Sequence, residues 1–373
     1  MEFCLMIDFS PTEEQQMLTD AIRRYAANDL QAKAHEMDEN SEIPANIINK
    51  GWEIGLLPAS IPEELGGFGE YSAVTNVLAY EELAYGDLAA ALKLMTPALF
   101  AFPVLHAGTE DQKGRFLPMF VEEEPFPATA ALIEPSITFD PLDLTTTATR
   151  NNGHICLQGH KAYVPNAEGA KWILVYARDS ETGKVGGYMV EAGADNVEIQ
   201  EREKLMGIRG LPTYRVNLND VRVEDELILG GPEGIDFSIL LSHMNLALSA
   251  MAVGVMRASY EYAKNYAKER VQFGQPIATK QAIAFMLAEA AIEVESSRMM
   301  TWEAAWQLDN AEATEKITQA VYLAKHYTDQ AVLQVTDAGV QVLGGHGFIR
   351  EHPVERWLRN GRGFPMFTGL AFA

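Results

Sequence analysis

Hydrophobic spacing changes twice along this chain, and a single uniform architecture cannot follow both changes. From residue 9 to about 125 the apolar residues keep helical spacing. Met17, Leu18, Ala21, Ile22 and Tyr25 recur at i, i+1, i+4, i+5 and i+8, one face of a helix. Ser10-Pro11-Thr12-Glu13-Glu14 reads as its start, with Ser10 as the capping residue, proline at the first helical position and acids where the helix dipole favours them. The glycine-rich stretch Ile61 to Gly69 interrupts the pattern. From about 128 to 230 short alternating runs take over: Ile155 to Gly159, Trp172 to Tyr176, Tyr188 to Val190 and Tyr214 to Leu218. Turn residues such as Asn151-Asn152-Gly153 and Thr182-Gly183 separate them, as between strands of a small β domain. Beyond Gly230-Gly231-Pro232 helical spacing returns in three long segments, about 234–269, 278–309 and 312–343, whose short connections imply an antiparallel bundle. At 373 residues the chain also exceeds one compact core. The expectation is an α+β chain of three parts: helical residues 1–127, a β domain over 128–231 and a helical bundle over 232–373.

A formal charge of −23 argues against nucleic acid or an anionic membrane as the main partner, since both require a net basic face. A local basic pocket for a phosphorylated ligand stays open. Cys4 and Cys156 are the only thiols, so neither a disulfide framework nor a cysteine metal site is expected, and a reducing cytoplasm fits best. The first eight residues lack a basic region and a cleavage site, which speaks against a secretory signal. The apolar run Leu88 to Ala107 carries Lys93, Pro97 and Pro103, and is expected to be a buried helix ending in a turn rather than a membrane span.

Three segments carry the candidate chemistry. Arg270-Val271-Gln272-Phe273-Gly274-Gln275-Pro276-Ile277, followed by Gln281, lies between two long helices. A guanidinium there can fork onto phosphate oxygens, with amide and aromatic groups beside it. Gln341-Val342-Leu343-Gly344-Gly345-His346-Gly347-Phe348 ends the last long helix, and adjacent glycines let backbone approach a diphosphate closely. His346 is expected to be a turn histidine facing solvent. Lys204 to Thr213, then Asp220 to Val223, forms a loop and strand of the β domain.

In this order and spacing the three segments resemble the acyl-CoA dehydrogenase family over nearly the whole chain. The resemblance implies an N-terminal helical domain, a middle β-barrel-like domain and a C-terminal four-helix bundle, with FAD wedged between them in a dimer or tetramer. It implies that Arg270 reaches the FAD pyrophosphate, usually of a neighbouring subunit, that Gln272, Phe273 and Gln281 beside it hold the rest of the cofactor, and that Gln341, Val342, Leu343, Gly344 and Gly345 contact the adenine half. It further implies an acyl-CoA thioester as substrate and electron-transfer flavoprotein as acceptor. No metal site is expected.

The catalytic positions depart from that pattern. Family dehydrogenation uses a glutamate to remove the α-proton while the β-hydrogen leaves as hydride. Its usual position is occupied here by Thr368, before Gly369, and the alternative position on the first bundle helix by Met244, beside Asn245. A threonine hydroxyl is not a base at neutral pH, so no catalytic residue is assigned. His243 is titratable but projects about 100° round the helix from Met244, and reads mainly as an interhelical histidine. Glu134-Pro135-Ser136-Ile137-Thr138-Phe139-Asp140 resembles a family flavin loop with Thr138-Phe139 in place of Gly-Ser. Lys161-Ala162-Tyr163-Val164-Pro165-Asn166 resembles another, with tyrosine for tryptophan and a proline that lacks both hydroxyl and N–H. Ser242 and Asn245 replace an Asp and an Arg often used near substrate. The chain is therefore expected to be the base-deficient member of a heteromeric acyl-CoA dehydrogenase working with a paralogous subunit. The alternatives are a self-sufficient dehydrogenase with another base, a flavin oxidase or monooxygenase of this fold, and a non-enzymatic relic.

Overall fold

The computed structural model describes residues 9–151, 153–311 and 313–373; Cys4, the rest of the first eight residues and Asn152 of the turn above lie outside them. Helix α1 (Glu13–Tyr25) continues through a wider turn at Ala26–Gln31 into α2 (Ala32–Asn40). Its cap is Thr12, not Ser10. Thr12 Oγ1 accepts from the Gln15 N–H at 3.2 Å and the Gln15 side chain accepts from the Thr12 N–H at 3.0 Å, so the reciprocal pair satisfies two donors and leaves Pro11 outside the helix. Met17 is 74% exposed, while Ile22 and Tyr25 are buried as the spacing requires.

Helices α3 (Ala45–Trp52), α4 (Leu56–Ala59), α5 (Ala73–Gly86), α6 (Leu88–Leu94), α7 (Ala98–Ala107) and α8 (Glu110–Phe116) complete the first part. The apolar run expected as one buried helix is two, α6 and α7, bent by 51° at Met95-Thr96-Pro97. Proline cannot donate the helical hydrogen bond, so the chain breaks there. Nearly all of both helices is buried.

Seven strands form one sheet: β1 (Ala128–Ala131), β2 (Thr147–Asn151), β3 (His154–Pro165), β4 (Trp172–Asp179), β5 (Val185–Glu191), β6 (Val197–Arg202) and β7 (Thr213–Val223). Their order is β1-β4-β2-β3-β7-β6, with β5 on β4. β1 and β2 both run parallel to β4, and the other pairs are antiparallel. A separate apolar cluster that includes Leu157, Val164, Ile173, Val175, Val216 and Leu218 fills one face.

The last part holds α9 (Phe237–Glu269), a two-stranded hairpin of β8 (Val271–Gln272) and β9 (Gln275–Pro276), α10 (Gln281–Asn310), α11 (Thr314–Leu343) and the short α12 (Val354–Gly361). Helix α9 is apolar and long enough to cross a membrane, but 83% of its most apolar window is buried within the protein. It packs against α11, α10 and α12 and also against α5 of the first part, so the two helical parts share one apolar core. Gly254 permits the α5 contact: a Cβ there would stand 2.3 Å from the Glu81 carbonyl oxygen.

Candidate active site and cofactor edge

The end of α9 and the end of α11 are brought together by side chains. Tyr266 OH hydrogen-bonds His346 Nδ1 at 2.7 Å, and one turn earlier Tyr262 OH bonds His352 Nδ1 at 2.7 Å; the two imidazoles stack at 5.3 Å. His346 is thus the half-buried link that fixes the 344–348 turn to α9, and not the solvent-facing residue the sequence suggested. The contact lies 80 residues apart in the chain, beyond any local signal.

Arg270 follows Tyr266 by one helical turn, so the hairpin leaves α9 at the end that this link joins to the 344–348 turn. Residues Phe273 and Gly274 form the two-residue loop at φ +53° and +80°, and Phe273 stands 92% exposed with Lys280 Nζ 5.8 Å from its ring centre. A bulky residue in left-handed backbone is strained, and such strain clusters where a ligand is held. Among the described residues the Arg270 guanidinium has no hydrogen-bond or ion-pair partner. Gln272, Gln281 and Gln341 are exposed on the same elements, whereas Val342 and Leu343 are 4% and 5% exposed and can offer a ligand only their backbone. Gly344 sits at φ +59°, and no atom lies within 4 Å of a Cβ built on Gly344 or Gly345. A free guanidinium, exposed amides and bare glycine backbone fit a diphosphate.

The β domain supplies a buried ion pair that sequence reasoning missed. Lys161 Nζ donates to Glu134 Oε1 at 2.9 Å and to the Leu132 carbonyl at 3.1 Å, and both charged side chains are almost wholly buried. Glu134 also accepts from Thr145 N and Oγ1 and from Thr146 N. Burial pushes the Glu134 carboxyl up, but the Lys161 charge and the threonine donors outweigh it and hold it down at about 2. Burial lowers the Lys161 ammonium to about 8 against the pull of Glu134. The two flavin-loop motifs are therefore tied to each other. Immediately after Lys161 the β3–β7 register shifts and Tyr163 adopts φ +53°, its N–H donating to Glu203 at 2.9 Å. A bulge of this kind re-aims a side chain. Thr138 is exposed, Phe139 half-buried, and Pro165 buried.

Residues 204–213 are pinned to α12. Asn360 Oδ1 accepts from the Ile208 N–H at 2.7 Å, Arg359 donates to the Met206 carbonyl at 2.8 Å, and a Cβ on Gly207 would meet the Arg359 carbonyl oxygen at 2.6 Å. Arg359 is held in turn by Asp38 and Glu355. The chain then turns through Phe364–Met366 to Thr368, whose Oγ1 lies 3.4 Å from Asn245 Oδ1 on α9. Met244 is fully buried in the apolar core. His243 Nδ1 lies 2.8 Å from Tyr71 OH and also against the Ala373 carbonyl; burial and the neighbouring His106 keep it well below the usual histidine range, outweighing that carbonyl. His106 is lowered to about 4, by burial first and Lys113 second. Both imidazoles are neutral at pH 7. Among the described residues no three His, Cys, Asp or Glu side chains are grouped to hold a metal ion.

A helix–sheet–helix chain with an unpaired arginine and bare glycines at one end of its bundle has groups that fit the diphosphate of a cofactor. Comparison with known proteins agrees in each part: residues 12–124 match the acyl-CoA dehydrogenase N-terminal domain, 129–221 the middle domain and 237–370 the C-terminal domain. The chain is 33% identical over 364 residues to a cyclohex-1-ene-1-carbonyl-CoA dehydrogenase of Geobacter metallireducens, covering 96% of this chain and 95% of that one. It is 30% identical to an acyl-CoA dehydrogenase of Bacillus subtilis, covering 96% and 95%. Butyryl-CoA dehydrogenase from Megasphaera elsdenii superposes with a TM-score of 0.88 at 29% identity over 97% of this chain and 96% of that chain. A structure described as the electron transferring flavoprotein of Acidaminococcus fermentans gives the same TM-score and identity over the same shares. The chain belongs to the acyl-CoA dehydrogenase family.

Proposed function

We propose that this chain is an FAD-dependent acyl-CoA dehydrogenase subunit that supplies cofactor contacts to a neighbouring subunit and relies on that neighbour for the α-proton base. FAD is the cofactor of the family, and it supplies the hydride acceptor for the β-hydrogen. The observation that carries the reading is a separation. Asn245 lies near the start of α9 and Arg270 caps its end 25 residues on, about 37 Å at 1.5 Å per residue. That exceeds the reach of one dinucleotide lying between the Arg270 edge and the Thr368 position. The diphosphate edge of one copy therefore serves the cofactor of another chain. Arg270 clamps the diphosphate, Gly344 and Gly345 admit it to backbone, and the Tyr266–His346 bond keeps the two in register.

At the other end Thr368 meets the Asn245 amide, and neither takes up a proton at neutral pH. His243, neutral and enclosed, is committed to Tyr71 and Ala373. These occupants support a reading in which a paralogous chain supplies the base. The names of the relatives make a CoA thioester the substrate, and the Acidaminococcus similarity favours electron-transfer flavoprotein as acceptor.

The deciding experiment mixes the FAD-loaded chain with acyl-CoA anaerobically and follows flavin absorbance. The isolated chain is expected to leave the flavin oxidised, and co-assembly with a glutamate-bearing paralogue to bleach it. Robust bleaching by the isolated chain overturns the reading. In the isolated chain, T368E is expected to restore bleaching.

A further inference from the structure

A cavity of about 840 Å³ lies where the first helical part, the sheet and the approach to α9 meet, lined by α8, the β4–β5 hairpin and residues 225–235. None of its lining residues belongs to the Arg270 edge or the Thr368 position. Its walls are tied to one another. Gln112 on α8, 5% exposed, donates to the Glu226 carbonyl at 3.0 Å and the Ile228 carbonyl at 2.6 Å, and accepts from the Gly230 N–H at 3.1 Å. The Leu229 N–H donates to the Gly187 carbonyl on β5 at 2.9 Å. The cavity is therefore formed before any ligand arrives, at a junction between parts and in the size range of small-molecule sites.

Tyr188 on β5 lines this cavity and is 2% exposed, and among the described residues its hydroxyl has no hydrogen-bond partner. Buried hydroxyls are normally paired, so one left open on a cavity wall has room for a partner that the fold does not supply. Gly186, two residues earlier on the same face, leaves that hydroxyl uncovered: a Cβ there would stand 2.8 Å from it. Burial first, and Asp179 second, push the phenol up, so it keeps its proton and can donate as well as accept. Ile155, Val185 and Leu229, all buried, make an apolar floor. The rim is acidic. Arg150 pairs with Asp225 at 2.7 Å and Arg115 with Glu226 at 3.3 Å, which leaves Asp111, Asp179 and Glu233 against Lys184 alone. A cleft with low-dielectric walls focuses such an excess and draws in cations.

We propose that this cavity is a second binding site, independent of the dehydrogenation reading, and that it takes a small organic amine whose apolar body bears one further polar atom. The body lies on the floor of Ile155, Val185 and Leu229, the ammonium meets the acidic rim, and the Tyr188 hydroxyl closes a hydrogen bond to the polar atom. A carboxylate of the same shape is repelled by the three uncompensated acids.

The test titrates tryptamine, tryptophol and indoleacetate into the full FAD-loaded chain by calorimetry at low salt; the three share an indole body and its N–H and differ in charge. Tryptamine is expected to bind at a single site per chain, about tenfold or more tighter than indoleacetate and with tryptophol between, and the gap to narrow as salt screens the rim. Tyr188→Phe is expected to weaken tryptamine about fivefold with no fall in melting temperature, because the hydroxyl has no partner in the fold to lose. Gly186→Ala is expected to weaken it about tenfold by covering the hydroxyl, and Lys184→Ala to tighten it about two- to threefold. FAD content is expected to stay the same in all three variants, which keeps this site apart from the cofactor edge. No binding by any of the three indoles, or a tryptamine affinity unchanged in both Tyr188→Phe and Gly186→Ala, overturns the proposal. Indoleacetate binding as tightly as tryptamine overturns the amine class. Should Gly186→Ala fail to fold, Tyr188→Phe and Lys184→Ala decide.

Discussion

Lys161 is fully enclosed, yet it carries its charge because Glu134 and a backbone carbonyl meet it within 3.1 Å. Removing one partner of such a pair strands the other without solvent. Lys161→Met is expected to lower stability by about 3–5 kcal/mol in urea unfolding, while the double change with Glu134→Gln recovers part of the loss. The same residue sets an acid response. The Glu134 carboxyl is held at about 2 in the fold, against 4.5 in the unfolded chain, so the unfolded state binds more protons between those values. Its stabilisation is complete above pH 4.5 and is lost as pH falls towards 2. Stability against urea over that window is expected to slope less in Glu134→Gln than in wild type; equal slopes would show that the carboxylate does not govern acid sensitivity.

Element ends show how distant residues finish local structure. Helix α5 begins at Ala73, where Asp309 from the end of α10 accepts from the Ala73 N–H at 2.8 Å, the Val74 N–H at 3.1 Å and Ser72 Oγ at 3.0 Å. Ser72 also caps the Thr75 N–H, so the first turn has two oxygen partners from separate parts of the chain. Asp309→Ala is expected to cost about 1–2 kcal/mol, measured by thermal unfolding. At the other end of the bundle, Tyr266 and His346 hold the α11 turn beside the Arg270 hairpin. Tyr266→Phe is expected to weaken FAD binding several-fold with little change in melting temperature, because it frees the turn without opening the core.

Across the whole molecule, charge pairs join the two helical parts. Arg257 on α9 bonds Glu81 at 2.8 Å and Glu82 at 2.6 Å on α5, Arg298 on α10 bonds Glu81 at 2.9 Å, and Arg23 on α1 bonds Glu82 at 2.9 Å. Four elements thus share one network over a common core, and the helical parts are expected to unfold together. The outer face of α10 differs: Phe285, Ile292 and Met299 recur every seven residues and are 59%, 61% and 38% exposed. Tyr322 and Leu323 on α11 add 65% and 49% exposure. Exposed apolar side chains at this spacing are where a contact with another subunit is expected. Ile292→Asp is expected to yield a smaller species in light scattering and to release FAD, if the cofactor is shared between chains as proposed. A species of unchanged size would remove the stripe from the contact.

The helix–strand–helix order was legible because period 3.6 and period 2 leave different apolar spacings in Met17 to Tyr25 and in Trp172 to Tyr176. The Arg270 and Gly344-Gly345 segments could be singled out as candidates because a guanidinium and bare backbone offer a phosphate the same chemistry wherever they are placed. Strands β1, β2 and β6 were not: β1, Ala-Thr-Ala-Ala, is buried throughout and has no polar face to alternate with, and β2 and β6 are largely exposed. The Glu134–Lys161 pair, the Asp309 cap and the Tyr266–His346 link belong to the tertiary structure alone. Each joins groups far apart in the chain, and its energy exists only once packing has excluded water and set the partners within hydrogen-bond reach.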